Sequence, residues 1–140
     1  MKEIMEVAKY IRKELRMADE FAYEANKHKE QYPEMAQHYA RAAQEHLDVA
    51  DELHQGALRL IDHERRTGGE PPAEMLRMWG FEHEMMIDEK DCIMRKLNMY
   101  KGWALCVVAC VIERTLLDLD GASNACIIRV CGFWLSKSQK

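Results

Sequence analysis

The most restrictive feature of this sequence is a helical repeat of apolar residues that fills its first hundred positions and is interrupted twice. Between residues 3 and 30, apolar side chains recur at intervals of three and four. That spacing places them on one face of an α-helix. The same spacing returns over residues 34–66 and again over 73–100, with charged residues on the other faces. Each segment therefore predicts a long amphipathic helix with one face available for a core.

The two interruptions consist of residues that end one helix and begin the next. Gln31-Tyr32-Pro33 separates the first two segments, and Pro33 suits the first turn of a helix. Thr67-Gly68-Gly69 stops the second segment, and Glu70-Pro71-Pro72 leads into the third. Three helices of about 40 Å joined by such short turns should run up, down and up. The predicted fold class is all-α, an up-down bundle of three long amphipathic helices.

Composition changes sharply near Lys101-Gly102. Residues 103–140 hold 4 of the 20 Lys and Arg and 3 of the 24 Asp and Glu, whereas all ten Met and all six His lie at or before Met99. We predict a helical domain over residues 1–102 and a distinct apolar C-terminal tail over 103–140. The tail contains the runs WALCVVACVI and ACIIRVCGFWL, neither with a clear period. A buried helix, a strand and a non-native extension from a shifted reading frame all stay open for it.

Charge and motif content argue against several classes of function. The net charge of −4 gives no basic face for nucleic acid, and no apolar run reaches the roughly 18 to 20 residues of a membrane span. The first twenty residues are charged throughout, unlike a signal peptide. Five cysteines without a CxxC pattern are expected to be free thiols in the cytoplasm. Because no nucleophile elbow or phosphate loop is present, an enzyme is not favoured.

Polar residues on the apolar faces need a reason, because burying an unpaired charge is costly. Glu14, His46 and Glu89 lie on the inner faces of the three segments. Counted from the turns at 1.5 Å per residue, they fall within about 6 Å of one level in the bundle. Two carboxylates and an imidazole at one level could hold iron, manganese or zinc, with Glu45 as a flanking ligand. Each residue also has a simpler interpretation: Glu14 at a solvent edge, His46 as a boundary histidine, and Glu89 on a solvated acidic face.

A second level of the bundle is predicted to contain Tyr10, His54 and His83. Three polar side chains among apolar neighbours favour a hydrogen-bonded core network over a binding site. The ten methionines occur at helical spacing and are interpreted as core filling.

Three stretches of the first 102 residues have a distinctive pattern: 14–22 (ELRMADEFA), 39–50 (YARAAQEHLDVA) and 71–84 (PPAEMLRMWGFEHE). They resemble the ferritin-like, rubrerythrin-like superfamily of helical bundles, and look closest to small ferritin-like proteins of bacteria and their prophages. In that superfamily the first helix supplies a Glu and the second a Glu-x-x-His motif. Glu14 matches the former, but the latter falls on His46-x-x-Val49 or, shifted by one, on Glu45-x-x-Asp48. With no second Glu-x-x-His, the resemblance implies the fold better than a complete di-iron site.

Two functions follow from these observations. One is a ferritin-like protein that binds iron or manganese through Glu14, His46, Glu89 and Glu45, without established catalysis. The alternative is a non-enzymatic helical interaction protein or structural accessory protein of a bacterial mobile element. Three helices in a row would leave one apolar flank uncovered. We expect a homodimer to cover it, although the tail folded back as a fourth helix would do the same.

Overall fold

The computed structural model describes residues 2–120, and side chains for residues 3–116. This part of the chain contains three α-helices: α1 (Lys2–His28), α2 (Pro33–Thr67) and α3 (Ala73–Asp120). The predicted all-α class is confirmed. The third helix does not end at Tyr100, as the periodicity predicted, but continues to Asp120. The part of the tail predictions that concerns residues 121–140 lies outside the described residues.

Local chemistry accounts for the two turns. Pro33 occupies the first turn of α2, where helical N–H groups have no partner in their own helix. The C-terminal end of α2 is closed by Gly68, whose N–H donates to the carbonyl of Glu64 at 2.8 Å. Gly69 has a φ of +92°, a conformation that glycine adopts without strain.

Polar contacts between helices give their relative directions. The Arg12 guanidinium meets the Glu82 carboxylate at 3.2 Å, and Asn26 Nδ2 donates to the Lys96 carbonyl at 2.9 Å. The later residue of α1 contacts the later residue of α3, so these two helices run parallel. Each also contacts α2, so the three helices form a closed bundle within the first hundred residues. The row of helices with an open flank, expected from the sequence, is therefore wrong.

The core is the shared apolar interior of this bundle. Alanines dominate α1 and α2, where they allow close approach of the backbones, and larger side chains from α3 fill the remaining space. No polar or charged residue is buried among the described residues. The core side chains are Ile4, Ala8, Ile11, Leu15, Ala18, Ala22, Ala43, Leu47, Ala50, Ala57, Ile61, Met75, Trp79, Met86, Ile93 and Leu97.

The chain divides into two compact units, Met1–Tyr100 and Lys101–Lys140. The first unit contains the bundle. In the second, the described residues are the C-terminal part of α3, which carries the run WALCVVACVI. For residues 103–120, helix is the structure that the undecided sequence pattern adopts.

Candidate functional site

Glu14 and His46 meet across the contact between α1 and α2. Nδ1 of His46 lies 2.5 Å from Oε2 of Glu14, and the two side chains are 30% and 22% exposed. At this separation the two atoms share a hydrogen bond, whose donor depends on which ring nitrogen of His46 carries the proton. The His46 ring also stacks on Phe21, with ring centres 5.5 Å apart and planes 19° apart. Together the two contacts fix the orientation of the imidazole. They leave Nε2 as the ring nitrogen that Glu14 does not contact.

The other two predicted ligands do not join this pair. Glu45 is exposed, because one residue along a helix turns the side chain about 100° from the inward direction of His46. Glu89 is half-buried on α3. Over the described residues, no three His, Cys, Asp or Glu side chains come close enough together to hold a metal ion. Two of the four predicted residues are thus in contact, and the metal role of all four stays a prediction.

His54 of α2 and His83 of α3 form a second cluster with Trp79. The two imidazole centres are 4.8 Å apart with planes at 45°, and each lies 6.1 Å from the Trp79 ring. Tyr10, predicted to share this level, is 59% exposed. A phenol can reach water from a bundle edge without giving up its apolar contacts, which explains its outward position.

His54 has an unusual environment. Its Nε2 is buried and has no hydrogen-bond partner among the described residues. Burial lowers the pKa of His54 below its ordinary value of 6.5, and the charge of His83 lowers this pKa further. Asp51 acts in the opposite direction, but its carboxylate is paired with the Lys90 ammonium at 2.5 and 2.7 Å. These influences together lower the pKa of His54, which favours its neutral imidazole.

Residues 103–116 form a third feature, which we name the apolar segment. Its residues are helical, yet many of their large apolar side chains are open to solvent, with Leu105 at 71%, Ile112 at 53% and Leu116 at 57% exposed. Val107, Val108 and Val111 are exposed as well. Sequence reasoning missed that this segment continues α3, although no proline or Gly-Gly pair separates it from Tyr100.

A groove between α1 and α2 is a further apolar surface feature of the bundle. It encloses about 360 Å³ and is lined by Val7, Val49, Leu53, Gly56 and Leu60, with Glu52 at its edge. Gly56 faces open space here, because a Cβ atom added to it would meet no other atom within 4 Å.

Comparison with protein-family models, curated proteins and solved structures gave no match to this chain. The ferritin-like resemblance of residues 1–102 therefore stays a prediction. Across the residues described, no helix combines the length and apolar character needed to cross a membrane.

Proposed function

We propose that this protein is a non-enzymatic helical protein that assembles with a second copy of itself through the apolar segment. The observation that carries this proposal is the exposure of large apolar side chains along successive turns of one helix, from Leu105 to Leu116. A helix that is apolar on most of its faces is normally covered. Contiguous apolar surfaces beyond a few hundred Å² mark interaction sites in soluble proteins.

A second copy fits this surface better than an unrelated partner. Leu105, Val108 and Ile112 follow one another at spacings of three and four, which form a stripe along the helix. Matching stripes on two helices interdigitate as knobs into holes. A two-fold pair needs a surface that complements itself, and an apolar stripe satisfies that requirement. The alanines of α1 and α2 do not contribute to such a surface, since Ala18, Ala43 and their neighbours are buried inside the bundle.

The test is the mass of the full chain in solution. Sedimentation equilibrium should show a dimer for the wild type and a monomer for Val108→Glu and Ile112→Glu, because a carboxylate in the interface would have to be desolvated. Leu60→Glu is the matched control: Leu60 is 41% exposed on α2, outside the segment. A wild-type chain that stays monomeric at high concentration, or a dimer lost only in the control, contradicts the proposal.

The contact between Glu14 and His46 favours a second candidate, a ferritin-like metal-binding function. Carboxylates often orient the imidazoles of metal sites from behind, as Glu14 orients His46 here. Iron or manganese is the expected metal, and Glu89 and Glu45 would have to move toward the pair to act as the further ligands that the sequence predicted. Metal analysis of protein purified without a histidine tag tests this, and Glu14→Ala with His46→Ala should abolish retention. Stoichiometric metal retained by the triple variant with Glu89→Ala would rule the site out.

A further inference from the structure

We propose that His54 and His83 form a binding site for a borderline divalent transition-metal ion such as Zn²⁺, held by two imidazole nitrogens between α2 and α3. This site is separate from the pair of Glu14 and His46. His54 lies about 12 Å further along α2 than His46, at 1.5 Å per residue. It is also independent of self-assembly, since it lies within the bundle.

The separation of the two rings suits a shared ion. Two imidazoles bound to one tetrahedral Zn²⁺, each with its nitrogen about 2.0 Å from the metal, have ring centres about 5 Å apart. The observed separation between His54 and His83 is 4.8 Å. The two residues lie on different helices of the same bundle, so the backbone already holds them at this spacing.

The unpartnered nitrogen of His54 is the strongest chemical sign of a ligand. A buried ring nitrogen without a hydrogen bond costs free energy that native structures usually avoid. Binding a cation would satisfy this atom, and a neutral imidazole is the form that ligates. The Trp79 ring lies 6.1 Å from each of the two imidazole centres, so an aromatic side chain flanks the pair.

The surrounding charges and the ligand count define the kind of site. Asp51 brings a negative charge near His54, but Lys90 holds its carboxylate, so it is not a free ligand. No third His, Cys, Asp or Glu completes the set among the described residues. Two imidazoles select Zn²⁺, Cu²⁺ or Ni²⁺ over Mg²⁺ or Ca²⁺. Water would fill the remaining positions, which makes this an exchangeable site rather than a closed structural one.

The experiment is a titration of the full, untagged chain with ZnCl₂, followed by long-range ¹H–¹⁵N spectra of the histidine rings. The signals of His54 and His83 should shift together and saturate at one equivalent. His54→Gln and His83→Gln should each weaken this binding at least about tenfold, since even outer-shell partners contribute 10- to 100-fold. His63→Gln is the matched control, an exposed histidine on the same helix as His54.

Each outcome decides the question. Coupled shifts of the two rings with unchanged binding in the control support the site. Static signals from His54 overturn it, as does wild-type affinity in His54→Gln or an equal loss in His63→Gln. A shift confined to His46 also overturns it and favours the other metal candidate. Because the spectra of the wild type alone report on both rings, misfolding of a variant would not obscure the result.

Discussion

At the scale of single residues, the bundle depends on how closely its alanine faces approach. Ala22 of α1 and Ala43 of α2 are fully buried, and no polar or charged residue is buried with them in the described part of the chain. Side chains this small leave little room between two backbones, and native cores contain few voids. The residues on these faces are thus constrained by volume as well as by hydrophobicity.

Enlarging one of these alanines should therefore destabilise the fold. We expect Ala43→Leu to lower the free energy of unfolding by about 1–3 kcal/mol, because extra methylene groups force neighbouring side chains and helices apart. Chemical denaturation followed by circular dichroism measures this. Ala73→Leu, at an exposed position in the first turn of α3, is the control and should change little. Equal stability of the two variants would show that the alanine faces are not tightly packed.

The buried phenol of Tyr100 leads us to expect that the free energy of unfolding falls at alkaline pH. It is 8% exposed, and burial raises the pKa of its phenol above the ordinary 10.0. As the pH rises above about 10, the unfolded chain loses this proton while the folded chain retains it, so the free energy of unfolding falls until the pH passes the folded pKa. Tyr100→Phe should remove that component from a denaturation series between pH 8 and 11.

The exposed Tyr10 supplies the control for this experiment. Tyr10→Phe should leave the alkaline slope of the wild type unchanged, because the Tyr10 side chain is 59% exposed and lies outside the core. An unaltered slope in Tyr100→Phe would mean that burial of this phenol does not govern alkaline stability.

At the scale of the elements, two of the helices contain glycines that their packing does not require. Gly56 of α2 and Gly80 of α3 lie inside helices, and an added Cβ would meet nothing within 4 Å at either position. Glycine loses more backbone entropy on folding than alanine does. Neither position has a steric reason for a glycine, so both helices should tolerate a side chain there.

Substituting these glycines should stabilise the protein. Gly56→Ala and Gly80→Ala should each raise the free energy of unfolding by about 0.5–1 kcal/mol. Gly69→Ala is the matched contrast, because its φ of +92° strains any residue with a side chain, and it should destabilise instead. Thermal melts of the three variants provide the measurement. A loss of stability in Gly56→Ala would show that a side chain is not accommodated at position 56.

At the scale of the whole molecule, the two units differ in what holds them together. The bundle of Met1–Tyr100 buries its apolar faces within itself, whereas the apolar segment of the second unit leaves large side chains exposed. Stability should therefore reside in the first unit, and association in the second.

Excision of the bundle tests this division. Residues 1–100 alone should be strongly helical, melt cooperatively and sediment as a monomer, because the core is complete and the apolar segment is absent. Circular dichroism and sedimentation equilibrium on one sample measure both properties. A disordered fragment would mean that the later residues belong to the core. A dimeric fragment would place the interface on the bundle, for example at the groove beside Val49.

Part of this fold and of its candidate sites could be predicted from the sequence alone. Apolar periodicity and the breaks at Pro33 and Gly68 determined α1 and α2 to within two residues at each end. Those signals are local, since they depend on backbone geometry and on side chains one turn apart. Counting residues from the turns also predicted that Glu14 and His46 lie at the same height in the bundle, because each helical residue adds a fixed rise of about 1.5 Å.

The tertiary structure decided which helix faces contact one another and which polar atoms lack a hydrogen-bond partner. Closure of the bundle depends on contacts such as that of Asn26 with the Lys96 carbonyl, between residues far apart in the chain. The height of a residue along the bundle does not specify the direction in which its side chain points. Glu45 is exposed and points away from the contact between Glu14 and His46. The ring nitrogen of His54 is buried without a partner only in the folded chain. Such properties depend on three-dimensional packing, so no periodicity in the sequence encodes them by itself.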